Sequence, residues 1–233
     1  MWIVRNLAFW LLVLCIPVLL LTSALRWAVS EVKLYEYGFT RYKIEQATGI
    51  PGPELRTVAV QLIDYFNSRV DEAQVVVNIR EKRTPLFNDK ELIHLQDVRN
   101  LVHLNNLVQV SSLAMAVICA SALALLSKPR WLILTRGTFM GSGLALGLMV
   151  FLALWCWLGF DQLFYLFHIA SFRNEYWMLD PSEDYLIRLF PEPFFYDAAL
   201  LVFGTVLMVS VIVMAGSLCA LRFLDSRSKR EDA

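Results

Sequence analysis

The chain has 233 residues, 58% of them hydrophobic and 18% charged, with formal net charge +0 and a mean hydropathy of +0.53. Soluble domains run at about 45–50% apolar and about 25% charged, so the composition points to a membrane protein. Zero net charge gives no bulk attraction to nucleic acid, and no nucleic-acid partner is expected. Cys15, Cys119, Cys156 and Cys219 all fall in apolar runs, where thiols act as small hydrophobes. No disulfide is expected, and no pair has the short spacing of a metal site.

Leu7 to Val29 is the first apolar run, and a span needs about 20 such residues. Leu14 before Cys15 suits no lipoprotein-type cleavage and no A-x-A-like site is apparent, so an uncleaved anchor is expected. A long polar segment follows. Pro51-Gly52-Pro53 marks a turn. Leu55, Val58, Leu62, Ile63 and Phe66 then recur at helical spacing. Gln74 to Ile79 has the β-branched content of a short strand. Asn88-Asp89-Lys90-Glu91 has the form of a capping box, in which an Asn side chain and a Glu three residues on satisfy each other's backbone N–H groups. The helix that starts there carries His94 and Asp97 into a second apolar run, Leu104 to Leu126.

A third run, Gly137 to Gly159, contains Gly137-x-x-x-Gly141 and Gly143-x-x-x-Gly147, a spacing that permits close helix approach. The fourth run is Ala198 to Leu221. Lys128, Arg130 and Arg136 lie between the second and third runs, and Arg222, Arg227, Lys229 and Arg230 follow the fourth. Short Lys/Arg-rich loops stay cytoplasmic, which puts both termini inside. The expected architecture is a mainly α membrane protein: four transmembrane helices with an extracellular cap of short helices and a little β. Its segments are a first helix (1–29), a cap segment (30–103), a second helix (104–126), a cytoplasmic loop (127–137), a third helix (138–160), a second extracellular segment (161–197), a fourth helix (198–221) and a cytoplasmic tail (222–233).

The second extracellular segment is too aromatic for a linker. It holds His168 among Phe164, Tyr165, Phe167, Phe172, Tyr176 and Trp177. Two readings of these rings stand: an interfacial belt, or the wall of a site for acyl chains. Asp180-Pro-Ser-Glu183 has the form of a helix start. A helix over 181–189 would present Tyr185, Leu186, Leu189 and Phe190 as an amphipathic element lying on the membrane.

The topology brings two of the three histidines, His94 and His168, to the outer surface from separate segments. Each is either a polar interfacial residue or half of an acid–base pair, since imidazole titrates near neutral pH. Asp97 and Glu91 lie one turn either side of His94 and are placed to orient its ring, or form an ordinary acidic face. His103 has no evident partner. No G-x-S-x-G elbow, H-E-x-x-H or phosphate loop is present. A zinc-dependent membrane hydrolase built on the two histidines and nearby acids is one alternative, although the spacing does not favour a metal. A non-enzymatic membrane scaffold is another.

The ordered set of Leu86 to Arg99 around His94-x-x-Asp97, Phe167-His-Ile-Ala-Ser-Phe-Arg-Asn174-Glu-Tyr-Trp177, Asp180-Pro181, Phe190-Pro191 and Phe194-Phe195 carries a resemblance, with Tyr37 to Tyr42 and Tyr65-Phe66 in support. The chain resembles the bacterial lipoprotein intramolecular transacylase family over nearly its whole length. The resemblance implies an acyltransferase of the bacterial cell membrane, with four transmembrane helices, an extracellular cap and no cofactor. It implies transfer of the sn-2 acyl chain of a diacylglyceryl-modified lipoprotein onto the α-amino group of that lipoprotein's own N-terminal cysteine. Its catalytic histidines fall on His94 and His168. Asp97, Glu91 and Asn174 are the expected supporting residues. Tyr165, Phe167, Phe172, Tyr176 and Trp177 are expected to line the substrate beside membrane lipid. Oligomeric state is not set by these features.

Overall fold

The computed structural model describes residues 2–73, 75–79 and 82–231, with the side chains of 78, 79, 82, 84 and 227–231 left aside. Gln74, and the basic side chains Arg227, Lys229 and Arg230 used for orientation, therefore lie outside the described residues. The order is α1 (Trp2–Ser30), α2 (Val32–Arg41), α3 (Ile44–Thr48), α4 (Gly52–Phe66), β1 (Val76–Ile79), β2 (Lys82–Pro85), α5 (Asp89–Leu126), α6 (Arg130–Ser171), α7 (Tyr185–Leu189) and α8 (Glu192–Glu231). The helices α1, α5, α6 and α8 are each long and apolar enough to cross a membrane.

Two compact units form. The first comprises Met1–Ala24, Asn106–Leu154 and Leu201–Ala233. Its apolar centre joins Ala8 and Leu12 of α1 to Cys119 and Leu123 of α5. Gln109 donates to Ser23 Oγ at 2.8 Å, a polar link between α5 and α1. One glycine motif explains itself here. A Cβ on Gly141 would stand 2.5 Å from Ile16 Cδ1 and 2.9 Å from the Val13 carbonyl oxygen, so α6 lies directly on α1. The second motif does no such work, because a Cβ on Gly147 would meet nothing within 4 Å. Leu107, Val110, Leu113, Val117 and Ile118 of α5 are exposed, as expected of side chains that face lipid.

The second unit comprises Leu25–Asn105 and Trp155–Leu200. Its core is the stripe of α4, where Leu55, Val58, Ala59, Leu62, Ile63 and Phe66 are all buried. This is the i, i+3, i+4 pattern of a one-faced helix. Strand β1 pairs antiparallel with β2, Val76 opposite Pro85 and Ile79 opposite Lys82. Helix α2 buries Leu34, Tyr35, Gly38 and Phe39. A Cβ on Gly38 would stand 2.3 Å from the Phe194 ring, so only glycine lets α8 begin there.

The structure departs from the sequence expectation at 181–189. Asp180 Oδ1 accepts from both the backbone N–H and the hydroxyl of Ser182 at 2.8 and 2.7 Å. This makes a local Asx turn, and the helix starts only at Tyr185, after Asp184. Its apolar side does not lie on a membrane surface. Leu186, Leu189 and Phe190 are buried, and Phe190 packs on Tyr35 and Phe39 with ring centroids 5.8 and 5.7 Å apart.

Candidate active site

The site is assembled within the second unit by the first turns of α5, the last turns of α6 and the segment 172–184. At the start of α5 the capping box forms in both directions. Glu91 Oε2 accepts from Asn88 N–H at 2.8 Å and Asn88 Oδ1 from Glu91 N–H at 3.0 Å. This fixes the helix end three residues before His94. On the other side, α6 leaves helical geometry at Gly159 (φ −174°, ψ 73°) and then resumes. The resumed stretch stacks one ring per turn. Phe160 and Phe164 are 5.4 Å apart, and Phe164 and His168 are 4.4 Å apart.

His94 and His168 face each other, ring centroids 6.2 Å apart and planes inclined by 27°. Each is only 8% exposed. His94 precedes and His168 follows the apolar runs Leu104 to Leu126 and Gly137 to Gly159 of the sequence. His168 Nδ1 is 2.7 Å from the Phe164 carbonyl oxygen. A carbonyl only accepts, so Nδ1 carries the hydrogen and Nε2 keeps its lone pair. Burial pulls the His168 ring below its ordinary pKa against that hydrogen bond. Burial, with the neighbouring His168, pulls His94 down to about 4, and Asp97 offsets this only in part. Both rings are therefore neutral at pH 7. His94 Nδ1 is buried without a hydrogen-bond partner among the described residues.

The expected supporting residues are near, but not on the ring. Glu91, 1% exposed, accepts from Leu186 N–H at 2.6 Å with its second oxygen. Both its oxygens thus serve backbone donors, and it anchors α5 and α7. Burial pushes its carboxyl pKa up against those hydrogen bonds. Asp97 accepts from Asn174 Nδ2 at 2.8 Å, and Asn174 Oδ1 accepts from Tyr176 N–H at 3.1 Å.

Of the expected lining residues, Trp177 lies over His168 at 4.8 Å. Phe167 meets the edge of that ring at 5.5 Å, and Phe172 touches both His94 and His168, at 5.0 and 5.6 Å. Tyr165 reaches the group only through Trp177, at 5.6 Å. Tyr176 is 41% exposed and is held there by its backbone. Sequence reasoning read Asn88 only as a helix cap and gave Lys90 and Asp184 no role at the site, whereas Asn88 and Lys90 both bind Asp184 here. Their partners lie more than 90 residues apart, so no local signal reveals them. His103, which lacked an evident partner, is 2.6 Å from Ser68 Oγ. Among the described residues no three His, Cys, Asp or Glu side chains converge as a metal site would need.

Two neutral imidazoles packed among aromatic rings are able to exchange a proton with a bound group and to hydrogen-bond a developing oxyanion. The four long apolar helices define an integral membrane protein. The family model for the lipoprotein intramolecular transacylase Lit matches residues 10–195, and the chain belongs to that family of acyltransferases. The fold agrees. The membrane integral lipoprotein intramolecular transacylase Lit from Bacillus cereus is 22% identical and superposes with a TM-score of 0.76, over 99% of this chain and 100% of that one. Two forms of that protein with one histidine replaced, by arginine and by alanine, are each 23% identical with TM-scores of 0.75. Each covers 97% of this chain, and 94% and 96% of theirs. No curated protein sequence matches the chain.

Proposed function

We propose that this enzyme moves the sn-2 acyl chain of a diacylglyceryl-modified lipoprotein onto the α-amino group of the same molecule's N-terminal cysteine. The product is a lyso-form lipoprotein. The observation that carries the reading is the buried, facing pair of His94 and His168 in a member of the transacylase family. Amine and ester belong to one substrate, so the main task is to fold it into a reactive pose, and a rigid aromatic wall suits that task.

The tautomer divides the labour. His168 Nε2, with its lone pair, takes the proton as the amine nitrogen attacks the sn-2 carbonyl carbon. His94, held neutral, offers a ring N–H to the resulting oxyanion rather than acting as a cation. Collapse breaks the bond between that carbon and the glyceryl oxygen, which takes the proton back from His168. The amide is formed, the hydroxyl is freed, and no water or cofactor enters the balance.

Asp97 and Asn174 support the site by fixing the segment after α6, and Glu91 by fixing the start of α5. Phe167, Phe172 and Trp177 form the chamber wall, with Tyr165 and Tyr176 at its edge. The basic residues Lys128, Arg130, Arg136 and Arg222 support a reading with cytoplasmic termini and the histidines at the outer face. Purified protein given a diacylglyceryl lipopeptide with a free amino terminus tests the reading. The expected product has unchanged mass but an N-linked acyl group. An N-acetylated substrate yielding the same rearrangement would contradict it.

A further inference from the structure

Segment 172–184 lies against the histidine pair through Phe172 and Trp177, and polar side chains fasten it to α5. Asp184 is 3% exposed. It accepts from Asn88 Nδ2 at 2.8 Å, from Asp180 N–H at 2.7 Å and from Lys90 Nζ at 3.4 Å. Lys90 Nζ also donates to the Met178 carbonyl at 2.5 Å. Met178 adjoins Trp177, the ring that lies on His168. Asn88 immediately precedes α5 and Lys90 lies in its first turn, both ahead of His94, while Asn174 is tied to Asp97 after it. The segment is therefore pinned on both sides of His94 by polar side chains. Its own backbone bonds and the Asx turn at Asp180 close only short turns within the segment, so these side chains are what tie it to α5.

We propose that Asp184 is a positioning residue which, through Lys90 and Asn88, holds Trp177 on His168 as a water seal and so decides between transfer and hydrolysis. The inference rests on the transacylation reading above. Water competes with the amine for the same carbonyl carbon. If it attacks, the bond to the glyceryl oxygen breaks, that oxygen takes a proton, and free fatty acid leaves instead of the N-acyl product. A closed apolar chamber suppresses this route. A loosened segment admits it without touching either imidazole.

The test is the ratio of free fatty acid to N-acyl product, read by mass spectrometry with a diacylglyceryl lipopeptide and full-length protein. Asp184→Asn keeps the shape but replaces one acceptor oxygen with an amide NH2, a donor turned toward groups that are themselves donors. It is expected to raise the ratio about tenfold, a factor that corresponds to ~1.4 kcal/mol. Lys90→Met cuts the bond to the Met178 carbonyl at a partly exposed side chain and is expected to raise it severalfold. Lys90→Arg is expected to restore the wild-type ratio. Should Asp184→Asn fail to fold, Lys90→Met against Lys90→Arg decides the matter alone. A wild-type ratio in Lys90→Met, with an active wild type, overturns the seal. Absence of any N-acyl product from the wild type contradicts the reaction itself, and the seal with it.

Discussion

Replacing Glu91 by alanine separates support of the fold from support of the histidine. Its two oxygens hold the N–H groups of Asn88 and Leu186 at 2.8 and 2.6 Å in a buried setting. Leaving a buried donor without a partner costs about 1–3 kcal/mol. Two orphaned donors, less the relief of no longer burying a carboxyl, come to roughly 2–4 kcal/mol. In a protein of this size that lowers the unfolding midpoint by roughly 5–15 °C. Glu91→Gln keeps one acceptor oxygen and is expected to lose about half as much. The assay is thermal unfolding in detergent, followed by near-UV circular dichroism, with activity taken well below the midpoint. There, Glu91→Gln is expected to keep most of its activity, because neither oxygen bonds to His94. A loss of activity as complete as that of a histidine variant, at unchanged midpoint, would refute the reasoning.

Gly141→Ala is expected to destabilise by about 1–3 kcal/mol, because its Cβ meets the Val13 carbonyl and Ile16 and backbone does not yield as a flexible side chain does. Gly147→Ala, with open space around it, is expected to be neutral or stabilising; unfolding midpoints of the pair check both. Activity is expected to rise with pH as the substrate amine, with a reference pKa of about 7.7–8.0, loses its proton, while both histidines are already neutral. A pH–rate profile that falls across that range would contradict this. The pKa of His94 is lowered on folding from 6.5 to about 4. The unfolded chain therefore binds the proton first as pH falls through that window, and native stability is lost there. His94→Phe is expected to flatten that decline in a midpoint-versus-pH series.

The α4 core was legible because its stripe runs unbroken from Leu55 to Phe66, and the capping box because Asn88 and Glu91 satisfy each other locally. The histidine pair was legible from the expected topology, which brings the segment holding His94 and His103 and the segment holding His168 to one side. Other parts were not. The turn at Asp180 resembles a helix start, and only the competing bonds from Ser182 show that the backbone turns instead. Strand β2, Lys82 to Pro85, is polar and shows no alternation. Gly38 looks like a weakness in α2 until Phe194 arrives against it. Asp184 looks like an ordinary surface acid, because its side-chain donors Asn88 and Lys90 come from more than 90 residues away.

The central claim is that His94 and His168 together carry acyl transfer. Lipoprotein amino termini, analysed by mass spectrometry from cells that express the wild-type chain, His94→Ala or His168→Ala at equal membrane levels, test it most directly. The account predicts N-acyl lyso-form lipoprotein with the wild type and none with either variant. Lyso-form product at the wild-type level from either variant would contradict it.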